Sequence, residues 1–274
     1  IVDKDFDWLS NMRPVAIIVD LPFRPDQQFL DKIVFTGTPF ILVDDYGGEL
    51  CPNLVINGTV IEDYHRYPNI VSDHKKKCGP EYALISPHFC ENHWMGVASQ
   101  KTLTIVIGSG KRAYDWARML IQGDLKIDQF GTVNFIVGAS FPQLEFFTEE
   151  SKKRGLNIQS NISSKKMAEL LAHSAILIST GGMIVYEALA VGVPTIVFPQ
   201  ERNLVREATW LEDRRCIINL GFDEGMVINK INKSLEDILN SKEKAVSLSQ
   251  NARLVVDGLG IKRAAGEINK LLNN

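Results

Sequence analysis

The 274-residue chain is 45% hydrophobic and 23% charged, the composition of a water-soluble protein long enough for two domains. Its 33 acidic and 30 basic side chains leave a net charge of −3, which excludes the basic footprint of a general nucleic-acid binder. No apolar run reaches the length of a membrane span, no signal peptide is expected, and Cys51, Cys78, Cys90 and Cys216 lack CxxC spacing. The thiols therefore read as reduced and the protein as cytoplasmic.

The opening IVDKDFDWLS has no initiator Met, and the first convincing strand already lies at Val15–Val19. The start thus reads as the middle of a domain, with a segment expected upstream. Further strands are predicted at Phe40–Val43, Leu54–Ile56 and Tyr82–Ile85, with a helix over Arg24–Thr36 between the first two. The first two strands end in acids, Asp20 and the pair Asp44–Asp45, at the carboxyl ends where open α/β sheets gather ligands. Asp44 and Asp45 could hold a water or act as a base, or simply cap the strand. The lysine run Lys75–Lys77 reads as a solvated loop, and the polar, aromatic ENHWMGVASQK after Cys90 as a linker. This places the domains at 1–95 and 96–274.

The second domain has a regular β/α rhythm. Strands are predicted at Leu103–Ile107, Val133–Val137, Leu156–Ile158, Ala175–Ser179, Thr195–Phe198 and Cys216–Leu220. Helices are predicted at Ala113–Ile121, Gln143–Lys153, Lys165–Leu171, Gly182–Val191 and Leu204–Glu212, with two or three more closing the chain. Strands separated by helices of about ten residues imply βαβ units and a doubly wound parallel sheet.

Two strand–turn–helix corners stand out. In Ala175–Pro199 the strand ends at Ser179, and Thr180, Gly181 and Gly182 form a turn that opens a helix carrying Glu187. Glycines let backbone N–H groups approach a ligand, and the helix start favours an anion. A carboxylate one turn further suits ribose hydroxyls; as a bare pattern it also fits a solvated helix acid behind an ordinary turn. The second corner is GSGKRA, where Gly108, Ser109 and Gly110 follow a strand and Lys111 and Arg112 are possible phosphate contacts. It matches the dinucleotide fingerprint in form but lacks the acid at the end of the next strand, and it is no Walker A loop. Together the corners would flank one crevice and hold a diphosphate between two helix starts. His65, His74, His88, His93 and His173 show no metal-ligand spacing, so no metal is expected, and no GxSxG is present.

Four pieces in order, VDD (Val43–Asp45), GPEYALISPHF (Gly79–Phe89), STGGMIVYEALAVGVP (Ser179–Pro194) and DGLGIKRAAGEI (Asp257–Ile268), resemble nucleotide-sugar proteins of the GT-B superfamily. The chain is most similar to the UDP-sugar hydrolase of pseudaminic acid biosynthesis and to spore-coat polysaccharide biosynthesis proteins, and more distantly to the peptidoglycan GlcNAc transferase. The resemblance implies an α/β, GT-B-like fold of two Rossmann-like doubly wound domains with an interdomain cleft, the first lacking its amino-terminal strand and loop. It implies UDP or a UDP-sugar as ligand, with Glu187 on the ribose and the Thr180–Gly182 turn at the diphosphate, and no required cofactor. The expected activity is hydrolysis of a UDP-sugar by water, in surface-polysaccharide or nonulosonate synthesis. A GT-B glycosyltransferase and a non-catalytic nucleotide-sugar-binding module are the alternatives. The family's glycine-rich loop ending in a catalytic histidine has no counterpart, Gln200 and Asn203 stand where the family has an adjacent asparagine–glutamine pair, and GSGKRA lacks the acid common after the glycines. Small-molecule nucleotide-sugar is the only partner implied; neither the sugar nor the oligomeric state follows from the sequence.

Overall fold

Short β-branched and aromatic runs build two parallel sheets, one in each of two compact units, residues 1–84 with 259–274 and residues 85–258. The computed structural model describes residues 12–21, 37–44, 46–68, 71–96, 102–222 and 225–273. The expected helix over Arg24–Thr36, the opening segment up to residue 11 and Asp45 lie outside the described residues.

In the first unit β1 (Ile17–Asp20), β2 (Phe40–Val43), β3 (Leu54–Asn57) and β4 (Lys76–Cys78) pair in that order, all parallel. Alternate residues face opposite sides of the sheet. Val19, Phe40, Leu42 and Val55 meet Tyr67 and Val71 on one side, whereas Ile41, Leu54 and Ile56 meet Ala264 on the other.

Two expectations need correction here. Tyr82–Ile85 is not a strand: Pro80–Tyr82 is a 3-10 turn followed by irregular chain. Pro80 has no N–H to give a ladder, and Ala83 lies so close to Gly58 that a Cβ there would be 2.5 Å from the Ala83 Cα. The place beside β3 goes instead to Lys76–Cys78, from the lysine run read as a loop. An edge strand needs only backbone pairing on one side and tolerates lysines whose stems lie along the sheet; Lys77 reaches Glu267 at 3.0 Å.

The second unit holds α1 (His88–Glu91), β5 (Thr102–Ile107), α2 (Gly110–Gln122), β6 (Thr132–Val137), α3 (Leu144–Lys152), β7 (Leu156–Ser160) and α4 (Ser164–Ala172). It continues through β8 (Ile176–Ser179), α5 (Met183–Val191), β9 (Thr195–Val197), α6 (Arg202–Asp213), β10 (Ile218–Asn219), α7 (Val227–Leu239) and α8 (Lys242–Val255). Every strand predicted for this region is present, within three residues at either end. The strands are parallel in the order β10-β9-β8-β5-β6-β7, so the winding reverses between β5 and β8. Leu103, Ile105, Ile107 and Phe135 pack under Trp116, Phe147, Ile231 and Leu235. Among the described residues no helix is long and apolar enough to cross a membrane.

The units divide at 84/85, where the sequence suggested 95/96, because the intervening segment is tied to the second unit. The backbone N–H of Trp94 donates to the Val191 carbonyl at 3.0 Å and its indole N–H to the Ser174 carbonyl at 2.9 Å. The last helix, α9 (Gly260–Asn273), returns to the first unit. There Ala264 joins the core and Arg263 donates to the Glu81 carbonyl at 2.9 Å.

Two glycines of α9 should respond oppositely to alanine. A Cβ on Gly260 would lie 2.1 Å from the Ala83 carbonyl oxygen, whereas one on Gly266 meets nothing within 4 Å. Gly260→Ala should cost roughly 1–3 kcal/mol through overpacking, and Gly266→Ala should add about 0.5–1 kcal/mol through helix propensity. Urea denaturation of the two variants checks this; equal effects would show that α9 is not docked as described.

Candidate nucleotide-binding site

The site begins with the pairing of β5 and β8, whose last partners are Val106 and Ser179. Each strand therefore delivers its loop to the same sheet edge. After β5, Gly108 accepts a backbone hydrogen bond from Gly138 at 3.2 Å, and Ser109 packs so tightly on Gly138 that a Cβ there would be 1.9 Å from the serine oxygen. After β8, the Gly181 N–H donates to the Ser179 hydroxyl at 3.2 Å. Gly181 and Gly182 have φ of 99° and 85°, left-handed backbone that a side chain would strain.

Both corners open helices whose first N–H groups receive no side-chain cap, at Ser109 for α2 and Gly182 for α5. α3, α6 and α7 also start without a side-chain cap, whereas α4 and α8 are closed by Ser163 and Ser241, which accept from Lys166 and Lys244. Uncapped starts leave donors and the positive end of the helix dipole available to an anion.

Between the corners lies a crevice of about 330 Å³, with Gly108, Thr180 and Gly181 on its rim and Ile162, Met167 and Ile184 among its apolar walls. The structure thus brings together residues of both predicted loops. Ser109, Gly110, Ser179 and Gly182 adjoin the crevice in sequence without lining it. Glu187 sits three residues beyond Ile184 on α5, on the same helix face. It is half-buried, and burial pushes its carboxyl up to about 7. Among the described residues it has no hydrogen-bond or ion-pair partner. Lys111 and Arg112 are exposed in the first turn of α2, and the Arg112 guanidinium lies 5.3 Å from the centre of the Phe222 ring.

In the first unit Asp44 is fully engaged. Its oxygens accept from the N–H of Tyr46 at 3.1 Å and of Gly47 at 2.8 Å, and from the Tyr67 hydroxyl at 2.7 Å. Asn57 donates to the same hydroxyl at 3.0 Å, and burial raises the Tyr67 phenol above its ordinary value. This is the geometry of a turn anchor. His65 is held to the Thr59 carbonyl at 2.9 Å and His88 to Glu91 at 3.3 Å. Among the described residues no three His, Cys, Asp or Glu side chains converge as a metal site would require.

Sequence reading did not find the crevice walls from the β7–α4 loop and the first turn of α4, Ile162 and Met167 among them. Their one signal was position, at the carboxyl end of a strand beside the switch point. Gln200 was noticed only as half of an altered pair. It lies between the corners, donating from its backbone to the Thr180 carbonyl at 3.2 Å. Its side-chain nitrogen would be 3.4 Å from a Cβ on Gly108, and its Oε1 is buried without a partner.

The model of the glycosyltransferase family 28 C-terminal domain matches residues 117–263, more than half of the chain. The spore coat polysaccharide biosynthesis protein SpsG of Bacillus subtilis (strain 168) is 23% identical over 196 residues, covering 70% of this chain and 58% of that protein. The chain spans about half the length of the curated relatives it matches. Among solved structures, Acinetobacter baumannii MurG superposes with a TM-score of 0.64 at 13% identity, covering 96% of this chain and 77% of that one. A co-structure of S. aureus MnaA with UDP gives 0.62 at 10% identity, covering 97% and 78%. At such identities the likeness shows the fold, two parallel α/β units of the GT-B-like type.

Glu187 gives the site a pH signature without any ligand. Its folded-state value of about 7 lies above the ordinary 4.5, so the folded protein binds more protons than the unfolded chain between those values. Stability must then fall as pH rises through that window. Relative to wild type, Glu187→Gln should gain about 2–3 kcal/mol between pH 4 and pH 8, read from urea midpoints. A difference independent of pH would place the carboxylate in water.

Proposed function

This chain belongs to the glycosyltransferase family 28 C-terminal-domain family, and from that membership we propose that it binds a UDP-sugar at the carboxyl edge of the second sheet and serves glycosyl transfer in polysaccharide biosynthesis, in the cytoplasm. The observation that carries the reading is the convergence of two uncapped helix starts on one crevice with a half-buried, partnerless carboxylate one turn away. The apolar walls at Ile162, Met167 and Ile184 suit the flat face of a base. Glu187, as carboxylate, accepts hydrogen bonds from the ribose hydroxyls, and charge-assisted bonds of this kind are the strong ones. The N–H groups at the starts of α2 and α5 face the diphosphate, with Lys111 and Arg112 adding positive charge.

Transfer breaks the bond from the anomeric carbon to the diphosphate oxygen, so negative charge grows on the leaving group. Preorganised N–H donors and cations stabilise that charge without a metal, and we propose that no cofactor is required. The attacking hydroxyl must also lose a proton to a base. Among the described residues no titratable side chain lines the crevice, so in this reading the base is supplied from outside its walls. A second reading, hydrolysis with water as acceptor, is supported by the sequence pieces that resemble the UDP-sugar hydrolase; it releases UDP and a free reducing sugar.

Calorimetric titration of the full chain tests the site. Glu187→Ala should weaken both uridine and UDP by about tenfold or more, the worth of a hydrogen bond to a charged group, and leave pyrophosphate unchanged. Equal weakening of all three would remove Glu187 from the ribose. Activity with a UDP-sugar should survive EDTA; loss restored by a divalent ion would overturn the metal-free chemistry. Incubation in ¹⁸O-labelled water separates the readings: label at the anomeric carbon of a free sugar marks hydrolysis, and a glycosylated acceptor marks transfer.

A further inference from the structure

One cluster at the rim of the second sheet has no part in the reading above except through Arg112. The guanidinium of Arg112 lies 5.3 Å, and that of Arg202 6.0 Å, from the centre of the same Phe222 ring, within the range of a cation–π contact. The three residues come from different places in the chain. Arg112 is the third residue of α2, just beyond Gly108–Gly110, Arg202 is the first of α6, and Phe222 follows β10. Packing brings them together: Trp116 of α2 meets Phe198, the residue after β9, in a tilted ring contact with centres 5.1 Å apart. That contact draws the start of α2 toward the β9–α6 loop. In the same loop the Gln200 N–H donates to the Thr180 carbonyl, so Arg202 stands two residues along the chain from a contact with the turn that opens α5.

Both arginines are exposed while Phe222 is half-buried. Two long cationic side chains near one another repel and, left in water, would spread over many rotamers. A shared aromatic ring counters both tendencies, because its negative face attracts each guanidinium and fixes where it sits. The result is two bidentate donors prepositioned beside two helix starts. An anion richer in charge than a single phosphodiester is what such a pair recognises.

We propose that Phe222 is a positioning residue that holds Arg112 and Arg202 on the terminal phosphate of a nucleoside diphosphate. This inference rests on the nucleotide reading and deepens it: the cluster makes the site selective for a diphosphate over a monophosphate. It also supplies charge where the leaving group forms. In the donor sugar the same phosphate bears the glycosidic oxygen, so both arginines face the atom that gains charge as the bond breaks.

The test compares UDP, UMP and uridine by titration calorimetry on the full chain. Phe222→Leu and Arg202→Met should each weaken UDP by about tenfold and leave UMP and uridine within twofold. Phe222→Tyr, which keeps the ring, should bind UDP as wild type does. Combined, Phe222→Leu and Arg202→Met should weaken UDP by less than the product of the two single effects, since part of the ring's action runs through Arg202 and the rest through Arg112. The inference is overturned if Phe222→Leu binds UDP normally, if all three ligands weaken together, or if Phe222→Tyr fails to restore binding. A wild-type chain that binds none of the three removes the nucleotide reading itself and this inference with it. Binding of UDP with an unaltered Phe222→Leu variant removes the inference alone.

Discussion

The pairing of β5 with β8 is the constraint on which the site depends. Leu103 stands opposite Ile176 and Val106 opposite Ser179, so two corners separated by about seventy residues of chain reach the same edge at the same height. A slip of one residue would turn the buried faces of both strands to the wrong side. The apolar side chains prevent it: Leu103 and Ile105 are sealed beneath α2, α3 and α7, and Ile176 and Ile178 with them. Packing energy in the sheet thus sets the spacing between the two turns. The reversal of winding at this pair opens the crevice, since α2 and α5, the helices that follow β5 and β8, leave on opposite sides of the sheet.

The second unit was legible because its strands are continuous apolar runs and its helices carry a helical period, so propensity, pattern and burial agree. The same agreement is missing from the first unit. Lys76–Cys78 has no apolar signature and becomes a strand only because β3 offers a free edge. Tyr82–Ile85 has the signature and fails, since Pro80 and the close approach of Gly58 deny it a ladder. The return of α9 to the first unit was hidden for a related reason. Its motif Asp257–Ile268 was visible as a resemblance, but Gly260 shows its purpose only beside the Ala83 carbonyl. Contacts between segments far apart in the chain leave no periodic trace in either segment.

At the site the glycine turns and Glu187 could be read from the sequence, because backbone geometry and helix spacing are local. The walls at Ile162 and Met167 could not, since isoleucine and methionine near a helix start look like any core residues. Phe222 with its two arginines was equally silent. Arg112 was noted as a basic residue after glycines, but its partner ring lies more than one hundred positions away. Asp44 shows the converse: the pattern of an acid at a strand end was real, and the Tyr46 and Gly47 N–H groups with Tyr67 account for it locally.

The groups that gather at the crevice share one property: each is left incomplete by the fold. Glu187 is half-buried with no donor, Gln200 carries a buried oxygen with no partner, and the first N–H groups of α2 and α5 lack side-chain caps. In the core, by comparison, buried polar side chains find partners. Arg154 crosses to the end of α2 and donates to the carbonyls of Ile121 and Gly123, and the Asn134 side chain buried in the sheet accepts from Asn157. A fold that satisfies buried polar atoms in its core and leaves several bare around one crevice gives up stability there, because each unmade bond costs desolvation free energy. In the proposed reading that deficit is recovered by a ligand presenting hydroxyl donors to the carboxylate and anionic oxygens to the helix starts. The two demands, donors at one end and negative charge at the other, are met together by a ribose joined to a diphosphate.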